Sequence, residues 1–174
     1  GREWWCAIRN CENDRLKSAG YALRNAWARV RRHYMDHVDA FYGPSDFLRH
    51  SLAPELGLEE RFFTVPNVAR DPGGEEATPA GQGGYAAFLG RLSWEKGAGV
   101  LVEAARLAPE VPFRLAGEGP LLEKLRAAAP ENVAFTGRLD GMAAVRSFLA
   151  GARLFVLPGL CYEGFPNAVA EAML

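Results

Sequence analysis

Leu157-Pro158-Gly159-Leu160-Cys161-Tyr162-Glu163-Gly164-Phe165-Pro166-Asn167-Ala168-Val169-Ala170-Glu171-Ala172-Met173-Leu174 is the stretch whose reading decides the fold. It follows Leu154 to Leu157, an apolar run that reads as the end of a buried strand. Its glycines and Pro166 then predict a loop, and a helix that opens near Pro166 with Asn167 in its first turn. In one continuous helix Glu163 and Glu171 would stand about 12 Å apart and could share no ligand. With the helix starting at Pro166 or Asn167, Glu171 leans back toward the helix start while Glu163 hangs from the loop above it. Both acids then face one pocket. Free N–H groups of Gly164, Phe165 and Asn167 and the positive end of the helix dipole favour an anion in the same place. Acids beside an anion site predict a ligand with both phosphate and hydroxyl groups, which is the make-up of a nucleotide sugar.

Upstream of this stretch, strands and helices alternate strictly. Strands are predicted at Tyr85–Leu89, Phe113–Ala116, Val133–Thr136 and Leu154–Leu157, and helices at Gly97–Leu107, Pro120–Ala129 and Met142–Ala152. Such alternation implies a parallel sheet built by right-handed crossovers, with ligands held at the carboxyl ends of the strands. The first such end, Gly90-Arg91-Leu92-Ser93-Trp94-Glu95-Lys96-Gly97, places Arg91 and Lys96 in one loop. A lysine at a helix start opposes the helix dipole, so a nearby anion explains it better than helix stability does. The competing reading pairs Arg91 with Glu95 and leaves Lys96 solvated.

At the second strand end lies Ala116-Gly117-Glu118-Gly119-Pro120, with Asp140 about twenty residues further on, which invites comparison with a dinucleotide fingerprint. That fingerprint needs a third glycine where this chain has Leu122, so a tight turn is favoured, with Pro120 as the first residue of the next helix. Nowhere does an Asp-x-Asp pair occur, so the usual carboxylate platform for a divalent metal on a sugar nucleotide is missing.

The Glu163 to Glu171 spacing, in the context Tyr162, Gly164-Phe165-Pro166-Asn167 and Glu171-Ala172-Met173, resembles the signature of retaining family 4 glycosyltransferases with the GT-B fold. The strings Gly90-Arg91 to Lys96-Gly97 and Gly117-Glu118-Gly119 are similar to the same family. The likeness is strongest at residues 88–97, 115–120, 133–138 and 158–173. It implies that Arg91 and Lys96 neutralise the donor diphosphate and stabilise it as a leaving group, with Glu163 at the donor sugar or its departing phosphate. It also implies that Glu171 bonds the ribose hydroxyls, that Gly90 and Gly164 to Asn167 complete the donor site, and that no metal or other cofactor takes part. Gly117, Gly119 and the strand end Phe135-Thr136-Gly137-Arg138-Leu139 would surround the base, mostly through backbone and apolar side chains, with Phe135, Thr136, Gly137 and Leu139 in contact. A uridine or guanosine diphosphate sugar is the implied donor. The bland reading of Glu163 and Glu171 is a pair of solvated or capping acids.

The remaining sequence fits this frame. With 174 residues, 49% of them hydrophobic and 24% charged, the composition is that of an α/β globular protein. A net charge of −1 offers no bulk reason to bind nucleic acid. Apolar residues from Leu16 to Val38 recur at near-helical spacing, which predicts one long amphipathic helix from Glu12 to about Val38, broken or bent at Gly20. Its arginines are flanked by acids, so a solvated face outweighs a nucleic-acid or lipid surface. His33 and His37 share a helix face without a third ligand, and read as packing or surface residues. Strands are expected at Val38–Gly43 and Phe62–Pro66, with Ser45 capping the helix between them. This order resembles the closing part of the acceptor-side domain of the same transferases, although the Gly that often follows Pro-Asn is absent after Asn67. Cys6, Cys11 and Cys161 fit reduced cytosolic thiols.

Residues 1–70 are therefore expected to end an acceptor-side Rossmann-like domain, 71–84 to form a Pro- and Gly-rich linker, and 85–174 to form an incomplete Rossmann-like donor domain of GT-B type. The expected activity is metal-independent sugar transfer with retention, from a nucleotide-sugar donor to a saccharide, lipid-linked or small-molecule acceptor that the residues do not identify. No apolar run is long enough to span a membrane, and the expected setting is the cytoplasm, with membrane contact left to the part of the protein outside this stretch. The chain reads as an inactive fragment of the enzyme. A sugar-nucleotide epimerase of the same fold and a non-catalytic nucleotide-sugar-binding fragment are the rival readings.

Overall fold

The computed structural model describes residues 3–9, 14–68 and 82–174, in two compact units, Gly1–Val65 and Pro66–Leu174. Residues 71–81 of the expected linker lie outside the described residues, as does Cys11.

The first unit begins with helices α1 (Glu3–Arg9) and α2 (Arg15–Val30). The carboxylate of Asp14 caps α2 by accepting from the amides of Leu16 and Lys17, which are among the donors a helix start leaves unpaired. Instead of one long helix to Val38, the chain breaks after Val30 and resumes as α3 (His33–His37). The break lies at Arg32, whose φ of 49° is left-handed, and not at Gly20, which sits inside α2. Apolar spacing along the sequence does not register a single left-handed residue, so periodicity alone carries on through the break. His33 and His37 do share a face, with ring centroids 5.2 Å apart. Among the described residues no group of three or more His, Cys, Asp or Glu side chains is close enough to hold a metal.

Next come β1 (Phe41–Gly43), α4 (Asp46–Leu56) and β2 (Phe62–Thr64), a parallel βαβ unit with Phe41 opposite Phe62. Ser45 Oγ caps α4 by accepting from Leu48, as its position predicts, and Gly57 closes it with a φ of 65°. Ala53, Leu58 and Phe62 are buried, with Met35 and Phe41 against them. The guanidinium of Arg61 ties α3 to this unit by donating to the carbonyls of Val38 and Met35 at 2.9 and 3.1 Å.

In the second unit β3 (Tyr85–Leu89), α5 (Ala98–Leu107), β4 (Phe113–Ala116), α6 (Leu122–Ala128), β5 (Val133–Gly137), α7 (Gly141–Ala150), β6 (Ala152–Phe155) and α8 (Asn167–Ala172) follow in turn. The four strands are parallel in the order β5-β4-β3-β6. Alternate residues of β3 serve opposite faces, as the period of two in a strand requires. Ala86 and Phe88 join Leu101, Val102, Ala105, Leu115 and Leu125 beneath α5 and α6, whereas Tyr85 and Ala87 join Phe148 of α7. Helices on both faces of a parallel sheet make this a doubly wound α/β unit.

Several predicted boundaries are corrected: β1 starts at Phe41 rather than Val38, β2 ends at Thr64 rather than Pro66, and α7 ends at Ala150, which leaves Ala152 to β6. β6 runs from Ala152 to Phe155 rather than Leu154 to Leu157, because it pairs with β3 from Tyr85 opposite Ala152. Nor is it fully buried: Leu154 is half exposed, since no described strand pairs with its outer edge. Pro120 does not open α6. It lies in a turn, and α6 begins at Leu122 after Leu121. Among the described residues no helix is long and apolar enough to cross a membrane.

Candidate functional site

In a doubly wound sheet the ligand crevice opens where the strand order reverses, and here that point lies between β3 and β6. The loop after β3 is fixed to both neighbouring loops by backbone hydrogen bonds. On the β4 side, Gly90 N donates to Ala116 O at 3.0 Å, Leu92 N to Glu118 O at 2.8 Å and Leu121 N to Leu92 O at 3.0 Å. Gly117 has a φ of 135°, and a Cβ there would stand 1.9 Å from Gly90 O; one on Gly119 would stand 2.4 Å from Leu92 O. The Gly117-x-Gly119 pair is thus required by this loop-to-loop packing, which explains two glycines without the third that a dinucleotide fingerprint needs.

These loops enclose an open cleft of about 520 Å³ at the carboxyl ends of β3, β4 and β5. Leu89, Gly90 and Arg91 line it from β3, Gly117, Glu118 and Gly119 from β4, and Arg138 and Leu139 from β5. Arg91 is exposed and makes no ion pair among the described residues, Glu95 included. Arg138 has one distant partner, Asp140 at 3.7 Å, and both side chains are largely exposed. Such pairs contribute little in water, so both guanidinium groups are available to an anion or to acceptor atoms.

On the β6 side the same loop meets the segment after β6. Leu160 N donates to Glu95 O at 2.9 Å, and Gly97, with a φ of 72°, lies so close to Pro158 that a Cβ would stand 2.0 Å from its carbonyl oxygen. Across this contact Lys96 Nζ lies 2.8 Å from Glu163 Oε1. The contact is an ion pair rather than a directed hydrogen bond, because Glu163 Oε1 is buried without any partner of full hydrogen-bond geometry. The anion that a lysine at the start of α5 calls for is here supplied by the chain itself. Glu95 is held below the ordinary carboxylate range by the Ser93 hydroxyl first, then by its own backbone amide and the charges of Arg91 and Lys96. The Ser93 contact is loose, since the buried Ser93 Oγ also lacks a partner of full geometry.

Of the residues singled out from the sequence, Gly90, Arg91, Gly117, Gly119 and Leu139 come together in the cleft. Phe135 packs against the core beneath α5 and α6, the Thr136 hydroxyl donates to Leu115 O at 3.4 Å, and Gly137 O accepts from Gly117 N at 2.7 Å. These three shape the cleft wall from behind and do not line it. Lys96 and Glu163 form the separate pair. Asn167 begins α8 after Pro166 and accepts a 3.0 Å hydrogen bond from Asn67, with Gly164 and Phe165 in the loop before it. Glu171 lies on the six-residue α8, half-buried, and the described contacts join it to neither Glu163 nor Lys96. Glu118 and Arg138 also line the cleft; both belong to the stretches expected around the base, although neither side chain was given a role there. Their signal was adjacency: each follows a strand-end glycine. Cys161, in the loop before Glu163, is a free exposed thiol.

The architecture is that of the GT-B glycosyltransferases, as solved structures of the same fold show. A mutant of S. aureus TarM, in complex with fondaparinux, alpha-GlcNAc-glycerol and UDP, superposes with a TM-score of 0.66 at 19% identity, covering 90% of this chain and 30% of that one. Anabaena HepE in complex with UDP and glucose gives 0.62 at 18% identity over 78% of this chain and 42% of that one. The lipopolysaccharide outer core galactosyltransferase WaaB gives 0.59 at 20% identity, covering 78% and 40%. The chain therefore spans less than half the length of these proteins. Residues 83–174, more than half of the chain, match the family described as glycosyl transferases group 1, and the chain belongs to that family. Comparison with curated proteins finds no match.

Proposed function

We propose that this chain forms the donor-binding part of a family 4 glycosyltransferase that moves a sugar from a nucleoside diphosphate to an acceptor with retention of configuration and without a metal ion. In this reading residues 1–70 close the acceptor-side domain and residues 85–174 belong to the donor domain. The observation that carries the proposal is the cleft at the ends of β3, β4 and β5, where an unpaired Arg91 stands beside the bare backbone of Gly90, Gly117 and Gly119. A diphosphate suits that combination, since a guanidinium binds it bidentately and glycine lets it approach the main chain.

Transfer breaks the bond between the anomeric carbon and the diphosphate oxygen, and the bonding electrons leave with the phosphate. Arg91 and Lys96 supply the positive charge that stabilises the departing group. Glu163 holds the Lys96 ammonium in place before the donor arrives and meets the sugar side of the donor once it is bound. Glu171 bonds the ribose. The acceptor, a saccharide in this proposal, is bound by the other domain. TarM and HepE, whose structures contain UDP, support the nucleotide class by analogy of fold.

Calorimetry with UDP and GDP, in buffer containing a chelator, tests the proposal on the full-length protein. Arg91→Ala is expected to weaken binding by about 1.5–3 kcal/mol, the value of a charge-assisted contact. Unchanged affinity in Arg91→Ala would remove the diphosphate from this cleft, and dependence on added divalent metal would overturn the metal-independent reading.

A further inference from the structure

We propose that Asn67 is a positioning residue for the donor site: by holding Asn167 it fixes the start and the rotation of α8, the helix that carries Glu171. The inference rests on the donor-site reading above and goes beyond it, because Asn67 neither lines the cleft nor belongs to any of the loops at its strand ends.

Asn67 stands where the chain enters the second unit. The first unit ends at Val65, whose amide donates to Gly43 O at 2.9 Å, and the second begins at Pro66. One residue on, Asn67 Nδ2 donates to Asn167 Oδ1 at 3.0 Å. The bond joins residues 100 apart in sequence and lies wholly within the second unit. Pro66, whose ring restricts its own φ, stiffens the backbone that leads into it.

The helix has need of such an anchor. It is six residues long, no side chain caps it, and none of its residues is fully buried. So short a helix is not held by its own hydrogen bonds, and its first amides lack the side-chain acceptor that steadies α2 and α4. Upstream, the loop is held where Leu160 N donates to Glu95 O at 2.9 Å and where Lys96 pairs with Glu163. Both points precede Gly164, so neither sets how α8 turns about its own axis. Among the described side-chain hydrogen bonds, that from Asn67 is the one that reaches α8.

Helical spacing carries the effect to Glu171. Asn167 and Glu171 are four residues apart and so share one face of α8. Each residue advances a helix by about 100°, so a helix that slipped by one position would carry Glu171 off that face. Holding Asn167 therefore sets the direction of Glu171, without Asn67 touching the donor.

Calorimetry on the full-length protein tests this, with UDP, GDP and their 2′,3′-dideoxy analogues titrated into wild type, Asn67→Ala, Asn167→Ala and the double variant. The wild type is expected to prefer the ribonucleotide to its dideoxy analogue. Asn67→Ala should weaken the ribonucleotide by about threefold to tenfold, the value of one neutral hydrogen bond, and leave the dideoxy analogue and thermal unfolding unchanged. In the Asn167→Ala background Asn67→Ala should have no further effect. Equal weakening of ribo- and dideoxynucleotide would overturn the proposal, as would an undiminished effect in the Asn167→Ala background, no effect at all, or a wild type blind to the ribose hydroxyls. If the wild type bound neither UDP nor GDP, the donor-site reading would fall, and the role of Asn67 toward a donor with it. Hydrogen exchange of the Ala170 and Met173 amides distinguishes that failure from failure of the anchor itself, since it quickens in Asn67→Ala only if the bond holds α8.

Discussion

Lys96 Nζ lies 2.8 Å from Glu163 Oε1, linking the loop after β3 to the loop after β6 at the point where the sheet reverses its order. With side chains 33% and 18% exposed, the pair is shielded enough to contribute more than a surface ion pair and wet enough to escape the full cost of burying charge. In a double-mutant cycle of Lys96→Met and Glu163→Gln, chemical denaturation is expected to give a coupling energy of about 1–2 kcal/mol. A coupling near zero would mean that the two loops are joined by their backbone contacts alone.

Gly97 and Gly99, two residues apart, should respond in opposite directions to alanine. At Gly97 the new Cβ meets Pro158 O at 2.0 Å and the backbone is left-handed, so Gly97→Ala is expected to destabilise by more than about 2 kcal/mol. At Gly99, inside α5, the nearest atom to the new Cβ is Leu125 Cδ2 at 4.0 Å, an ordinary contact. Gly99→Ala is therefore expected to stabilise by about 0.5–1 kcal/mol. Paired urea melts check both signs, and a stable Gly97→Ala would show that the segment after β6 shifts without penalty.

In the first unit, Thr64 Oγ1 donates a 2.6 Å hydrogen bond to Asp46 Oδ1, joining β2 to the first turn of α4. That bond, followed by the contact from Arg49, holds the Asp46 carboxyl below its ordinary value of 3.8. A carboxyl depressed in the folded state adds stability above its unfolded pKa, and that stability is lost as pH falls through the folded value. Thr64→Val should raise the Asp46 pKa toward 3.8 in a carboxyl NMR titration and reduce the difference in stability between neutral and acidic pH. An Asp46 titration identical in the variant would discard the hydroxyl as the cause.

Asn132 presents one side-chain amide to three carbonyls, those of Ala105, Ala108 and Val111, at 3.0, 3.0 and 2.9 Å. It closes the end of α5 onto the turn before β4. Asn132→Asp replaces the donor by an acceptor facing those oxygens and should cost about 1–3 kcal/mol or more. Asn132→Ala should cost less than Asn132→Asp at neutral pH. The reverse order in denaturant melts would show that water replaces the amide.

Under the proposed function the two glutamates should separate kinetically in the full-length protein. A ribose contact by Glu171 would be equal in ground and transition states, so Glu171→Gln is expected mainly to raise the KM for the donor. Glu163 adjoins the Lys96 charge proposed to stabilise the leaving group, so Glu163→Gln is expected to lower kcat more than it raises KM. Steady-state kinetics with varied donor distinguish them, and a Glu163→Gln enzyme with full kcat would withdraw its catalytic role.

Much of this protein was legible in the residues alone. β3 begins and ends where its apolar run does, because a central parallel strand buries both faces and so shows as an unbroken run between turn residues, and β4 keeps its predicted bounds although the exposed Arg114 interrupts its run. Asp14 and Ser45 mark helix starts by local hydrogen bonds to neighbouring amides, and such bonds need no distant partner. The edge strand β6 was displaced by two residues because its limits depend on where β3 stops pairing, a long-range fact. Arg91 and Lys96 could be placed in one loop from their spacing. That Lys96 meets Glu163, 67 residues further on, while Arg91 stays free and shares its cleft with Arg138, depended on strand order and loop closure. Sequence determined the elements and the chemistry at each strand end, because turns, caps and apolar periods act over a few residues. Only the tertiary structure decided which of those ends face one another, because parallel strands pair residues whose separation along the chain carries no local signal.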